Sequence, residues 1–334
     1  MTQKTPLRNF LYSFKYDYHH TELCKLESKQ IFDKEENDKV LFSDTKIDPT
    51  VSPFIKSRLE IISSSESYPK LLKSIENENI HKEGFKAEYL ILEGDSREYS
   101  ERREKLKDVG HCIEGEPDFD TPTITYAICN YKNVWYFGTF IKHNPGWHKH
   151  KKKPCSFSNS ISMTIAKTLV SLASKGNKTK QLLDGCCGVG TVMLEACFSG
   201  FNIEGCDINW KACAHTRENL AHYNYSANVY CSDIKDLATQ YDAAIIDLPY
   251  NLYSYSNDEI TLNIIESAAK LSDRVVIVSN LDMESIIKKS GLKVSESCTV
   301  AKKGKSKFLR RIWICEKLVA QTKINRILEA STNH

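Results

Sequence analysis

Four aspartates and two glycines in the second half of the chain stand where chemistry could be done. Asp184 closes a short apolar run, and Asp184-Gly-Cys-Cys-Gly-Val-Gly-Thr191 follows. Gly188 and Gly190 let the backbone turn tightly and approach a ligand where a Cβ would clash. The periodic Val192, Met193, Leu194 and Ala196 then suit a helix packed on a sheet. Strand, glycine loop and helix start together aim free backbone N–H groups at whatever occupies the crevice at the strand end, which is the geometry of a nucleotide pocket.

The details separate the nucleotides. A dinucleotide fingerprint needs a third glycine or alanine where Met193 stands, so NAD is disfavoured. A Walker loop needs Gly-Lys-Ser/Thr, and no lysine lies between Lys180 and Lys211, which excludes ATP by that route. An acid at the strand end followed by Gly-Val-Gly-Thr suits a ligand that carries an amine and no phosphate, so Asp184 is expected to face a cation such as S-adenosylmethionine. Cys186, Gly188, Gly190 and Thr191 complete the expected loop contacts.

Later strand ends add parts. Asp207 lies 23 residues beyond Asp184, about where an acid meets ribose hydroxyls, with Ile208 beside it; the competing role is an N-cap for the next helix. Asp233 and Ile234 follow a third short strand, where the acid is placed to accept from the adenine amino group or else is a solvated loop residue. The sharpest signal is Asp242-Ala-Ala-Ile-Ile-Asp-Leu-Pro-Tyr-Asn251: a buried strand ending in a carboxylate and a proline that cannot continue the ladder. An exocyclic base amine is a poor nucleophile because its lone pair is delocalised into the ring. Asp247 and the backbone carbonyls near Leu248 and Pro249 can accept its N–H bonds and hold it in line with a methyl sulfonium. Tyr250 offers a face on which an extruded base stacks, a contact worth about 1–3 kcal/mol. Alone, the tetrapeptide reads equally well as a turn after a strand. The order of glycine loop, ribose acid, adenine acid and Asp-x-Pro-Tyr points to an amino-group methyltransferase.

Residues 154–316 resemble the catalytic domain of tRNA guanine-N2 methyltransferases, the family that joins an RNA-binding THUMP domain to a Rossmann methyltransferase domain and acts on guanosine 10 of tRNA. That family carries Asp-Pro-Phe-Cys-Gly-x-Gly-Thr where this chain has Asp184-Gly-Cys-Cys-Gly-Val-Gly-Thr191, and Asp-Pro-Pro-Tyr-Gly where it has Asp247-Leu-Pro-Tyr-Asn251. The resemblance implies an α/β fold, with a C-terminal Rossmann-like class I methyltransferase sheet and an N-terminal α+β THUMP-like domain, and tRNA as partner. A small activating protein is a further open partner. Two competing readings are an adenine-N6 methyltransferase on DNA or RNA, since Asp-x-Pro-Tyr serves adenine amines too, and a non-catalytic RNA-binding protein with a relic cofactor fold. The THUMP-like half argues against DNA, and an acid at every expected strand end argues against a relic.

The elements that must position these residues fill a chain of 334 residues, long enough for two domains, with 41% hydrophobic residues and a net charge of +3. The expected division is 1–141 for the N-terminal region, 142–153 for a basic linker, 154–317 for the methyltransferase domain and 318–334 for a tail. The first residues lack a signal-peptide pattern and no apolar run approaches the roughly 18 residues of a membrane helix, so a cytoplasmic location is the default. The twelve cysteines contain no C-x-x-C and read as reduced; no metal is expected.

In the N-terminal region, residues 9–42 open with an alternating strand followed by a helix from 21 to 30. Residues 55–62 form a further strand, Ser67 caps a helix with Pro69 in its first turn, 85–92 is a strand, and 99–109 is a helix ending at Gly110. Two more strands, 123–129 and 134–140, meet at a turn. Through Phe140 there are 20 Lys and Arg against 25 Asp and Glu, so RNA binding here needs a local patch. Candidates are Arg102-Arg103-Glu-Lys-Leu-Lys107 and the run 142–153, the latter otherwise a solvated linker whose His148 and His150 are exposed. Beyond Tyr250, a helix near 262–269, a strand at 274–279 and a terminal hairpin at 292–300 and 308–316 complete the expected sheet. The hairpin loop 301–307, with Arg310 and Arg311, is a candidate phosphate contact.

Overall fold

A computed structural model describes residues 9–157, 160–248, 258–301 and 309–317. Its strands are β1 (Phe10–Phe14), β2 (Val40–Ser43), β3 (Ile55–Ser65), β4 (Phe85–Tyr89), β5 (Ile124–Tyr131), β6 (Val134–Lys142), β7 (Gln181–Asp184), β8 (Asn202–Asp207), β9 (Val229–Cys231), β10 (Ala243–Asp247), β11 (Arg274–Ser279), β12 (Leu292–Ala301) and β13 (Leu309–Lys317). The helices are α1 (Thr21–Phe32), α2 (Tyr68–Asn77), α3 (Tyr99–His111), α4 (Met163–Ser174), α5 (Thr191–Ser199), α6 (Trp210–His222), α7 (Asp258–Leu271) and α8 (Glu284–Lys289). The chain divides into two compact units, residues 1–17 with 28–145 and residues 18–27 with 146–334.

The first unit holds a sheet of order β2-β1-β3-β6-β5-β4, antiparallel except for the parallel β4–β5 pair. Leu71 and Ile75 of α2 and Val109 of α3 pack with Phe85, Ile128 and Phe137 of the sheet into one apolar cluster. Lys132 and Asn133, both at positive φ, form the turn between β5 and β6. Three expectations change here. β1 alternates in sequence, yet all five of its residues are buried, because both faces are covered: Leu11 packs in a cluster with Leu59 and Ala127, and Tyr12, which points to the opposite face, meets Phe32. β2 had no clear period of its own. α3 runs through Gly110 to His111, so that glycine is no helix stop.

The second unit holds a sheet of order β12-β13-β11-β10-β7-β8-β9. β9, β8, β7, β10 and β11 are parallel, and β13 runs antiparallel between β11 and β12. Parallel strands covered on both faces read as continuous apolar runs. Ala243–Ile246 and Val275–Val278 are such runs, and all eight residues are buried. Ala244, Ile246, Val275 and Ile277 join Ile265 of α7 and Ile286 and Ile287 of α8 in one core. Each of these valine and isoleucine side chains contributes about 1.5–3 kcal/mol when fully buried. The helix α4 packs on α5 and on β10 and β11, so the strand ends carrying the acids are fixed by core on either side. The short α8 was not foreseen.

The basic run departs most from expectation. Residues Pro145–Lys152 form a 3-10 helix, with Trp147 and His150 buried. A 3-10 turn brings residues three apart onto one side, which is why Trp147 and His150 turn inward together. His148 is exposed as expected and stacks on Trp147 at 4.1 Å.

Candidate active site

The parallel register of the second sheet brings the two most informative acids to one edge. Ile245 lies opposite Asp184 across the β7–β10 pair, and Asp247 ends its strand two residues later. The amide of Gly185 donates to Ile245 O at 2.9 Å, and that of Leu248 donates to Val278 O at 3.0 Å, so both strand ends are held to their neighbours. Asp184, Cys186, Gly188, Thr191, Asp207, Asp247 and Leu248 line one crevice of 190 Å³ at these strand ends.

Asp184 is 1% exposed, and its Oδ2 has no hydrogen-bond partner among the described residues. Burial, followed by the nearby carboxylates of Asp247 and Asp207, pushes its pKa well above the usual carboxylate range. Thr191 Oγ1 is likewise buried without a partner among the described residues. Burying such groups unpaired is costly, so the crevice is organised for a ligand that brings a cation and hydrogen-bonding groups with it.

The two loop glycines do different work. Gly188, at φ +54°, has nothing within 4 Å of where a Cβ would stand, so its lack of a side chain leaves space open. Gly190, at φ +75°, caps α5, and a Cβ there would lie 2.6 Å from Thr216 Cγ2 on α6. Gly190 therefore serves helix packing, and it is not among the residues that line the crevice. Asp207 is not the helix cap. Asn209 takes that role, accepting from the amides of Lys211 and Ala212. The Asp207 carboxylate instead accepts from Gly188 N at 2.9 Å and from Asn209 N at 2.8 Å.

Ile208 is 77% exposed at the end of β8, an apolar surface beside Asp207. Asp233 caps the 3-10 helix Ile234–Asp236 by accepting from Lys235 N at 3.0 Å, and its other oxygen pairs with Lys235 Nζ at 3.1 Å. Burial raises its pKa, but these bonds outweigh burial and leave it lowered. Ile234 is buried in the core beneath Gly185, so it supports the loop from below and does not face the crevice. Pro249 and Tyr250 lie outside the described residues, as does the stretch 302–307 of the basic hairpin loop.

Sequence reasoning missed Phe157, Ser160 and Ile161, which line the same crevice from the segment before α4. Their signal was faint, since nothing but the cap Ser162, which accepts from Ile165 N, marks where that segment meets its helix. The thiol of Cys186 is pushed well up by burial and by the surrounding carboxylates, so it stays protonated.

Residues 150–307 match the family model described as RMKL-like, methyltransferase domain. The donor set fits S-adenosylmethionine: the buried Asp184 carboxylate, one of whose oxygens has no hydrogen-bond partner among the described residues, for a cation, Asp207 for hydroxyls, and an open backbone at Gly188. A protein of Methanothermobacter thermautotrophicus named tRNA (guanine(10)-N2)-dimethyltransferase is 36% identical over 105 residues, 30% of this chain and 31% of its own. Its namesake in Methanocaldococcus jannaschii is 28% identical over 149 residues, 41% of this chain and 40% of its own. The aligned stretch thus spans well under half the length of either relative. The crystal structure of TrmN from Thermus thermophilus aligns over 92% of this chain and 99% of its own, at 15% identity and a TM-score of 0.47.

Proposed function

We propose that this chain transfers a methyl group to the exocyclic N2 amine of a guanosine in tRNA, at position 10 by likeness to its named relatives. The single observation that carries the reading is the pairing of Asp184 and Asp247 at adjacent parallel strand ends, lining one crevice. When bound, S-adenosylmethionine supplies an electrophilic methyl on a sulfonium. Asp184 and Asp207 would hold its charged and hydroxyl groups, with Cys186 and Thr191 along the loop, Ile208 against its base and Asp233 at its adenine edge. Asp247 would accept an N–H bond of the target amine, aided by the carbonyls at Leu248 and Pro249, and Tyr250 would stack the extruded base. The nitrogen becomes cationic as its bond to carbon forms, and a carboxylate beside it stabilises that charge.

The N-terminal unit fits a THUMP-like RNA-binding role within this reading, and tRNA is the substrate it would engage. The test is transfer of labelled methyl from S-adenosylmethionine to bulk tRNA, followed by nucleoside analysis. N2-methylguanosine supports the assignment, whereas N6-methyladenosine would move the target to an adenine.

A further inference from the structure

Between Asp120 and Asp184 the sequence has no acidic residue and 10 lysines, four of them at 149 and 151–153. That run is built into the second unit. The imidazole of His150 sits between two partners, Nδ1 at 2.7 Å from Glu195 Oε1 and Nε2 at 3.1 Å from the Tyr225 hydroxyl. His150 and Glu195 are both fully buried. The Trp147 ring stands 5.7 Å from Lys167 Nζ, which itself donates to Ser199 Oγ at 2.5 Å. Lys149 Nζ lies 5.4 Å from the rings of Tyr223 and Tyr225 and 5.9 Å from that of Phe198, and the Tyr223 hydroxyl donates to Lys149 O at 2.9 Å.

A segment that only joins two units needs none of these contacts. Withdrawing a histidine and a glutamate from water is costly and is offset only by good geometry. What the anchors achieve is a fixed backbone for exposed cations. Lys151 and Lys152 are adjacent and exposed, and among the described residues neither is in an ion pair.

We propose that residues 149–152 form a fixed phosphate-binding ridge for the RNA substrate, with Lys151 and Lys152 contacting backbone phosphates and His150 as the positioning residue. This rests on the RNA-methylation reading above. Lysine binds phosphate as a point charge, and a preordered backbone lowers the ordering cost of that contact. Phosphate contacts set how the nucleic acid lies and carry no sequence information, so the ridge orients RNA and leaves base choice to the crevice.

The test uses the full chain, bulk tRNA and a salt titration, with cofactor affinity measured in parallel. Replacing both lysines (K151A/K152A) should lower tRNA affinity about tenfold at low salt and flatten the dependence of log K on log salt by about 1.4–1.8, the loss of two phosphate contacts. Cofactor affinity and melting temperature should stay at the wild-type value. His150→Gln, which keeps every lysine and a donor for Glu195, should raise KM for tRNA with kcat unchanged. A wild type that binds and methylates tRNA beside a double variant with the same affinity and salt slope overturns the ridge alone. A wild type that binds no tRNA at any salt overturns both the ridge and the reading it rests on.

Discussion

The backbone N–H of Gly188 donates to the Asp207 carboxylate at 2.9 Å, so the glycine loop and the acid at the end of the next strand are held as one piece. Asp207 also accepts from Asn209 N, which sets the start of α6. Asp207→Ala removes both acceptors. Hydrogen bonds to a charged group are worth about 1.5–3 kcal/mol each, though less where water reaches them. The variant should lose about 1–2 kcal/mol of stability in urea unfolding and at least about tenfold in cofactor affinity by calorimetry. Unchanged affinity would remove Asp207 from the cofactor site.

With the proposed role of Asp184, cofactor binding should depend on pH. The folded pKa of Asp184 is raised, chiefly by burial and then by Asp247 and Asp207, above the unfolded value of about 3.9. The associated stability is fully present below that unfolded value and is lost as pH rises through the raised folded pKa. Cofactor binding runs the other way, because a cation needs the carboxylate; affinity should fall as pH drops through the raised pKa, at higher pH than for an ordinary aspartate. Asp184→Asn should therefore raise the melting temperature of the ligand-free protein at neutral pH and abolish this pH-dependent part of cofactor binding. A variant that melts lower and keeps the wild-type pH profile would contradict the account.

The two glycines should respond differently to alanine. Gly190→Ala meets both the left-handed backbone cost of about 1–2 kcal/mol and a Cβ placed 2.6 Å from Thr216 Cγ2. Gly188→Ala meets only the backbone cost, with its Cβ in open space. Chemical denaturation should rank Gly190→Ala as the less stable. Adding Thr216→Ser, which deletes the clashing methyl and keeps the hydroxyl that donates to Gly188 O at 2.7 Å, should recover part of the loss.

Breaking the interior ion pair should be severe. Glu195→Ala leaves His150 and Lys167 buried without their carboxylate, and removing one partner of such a pair typically costs about 3–5 kcal/mol. Urea unfolding of this variant should show a loss of that order. A loss below about 1 kcal/mol, the value of an exposed pair, would mean that water reaches the site.

The second sheet was legible because its parts announce themselves locally. β11 has the bounds read from sequence, since Val275–Val278 is a short apolar run with polar residues on either side. The acids at the ends of β7, β8 and β10 could be read for the same reason. Other features depend on contacts distant in sequence. Nothing within 142–153 says that His150 will meet Glu195, 45 residues away, and a lysine-rich context reads as solvated until that partner is known. The packing demand on Gly190 could not be read because its motif does not reveal Thr216 on the next helix. Ile234 was read from its place after an acid, but the core beneath Gly185 claims its side chain.

The most direct test of the central claim is the Asp247→Ala variant, measured for methyl transfer to tRNA and, in the same preparation, for cofactor affinity. Removing a group that stabilises developing charge typically lowers kcat about 10²–10³-fold. If Asp247 serves the amine and not the donor, as proposed, Asp247→Ala should show a loss of that order with cofactor binding within about twofold of wild type. Methylation of the same guanosine at wild-type rate by Asp247→Ala would contradict it.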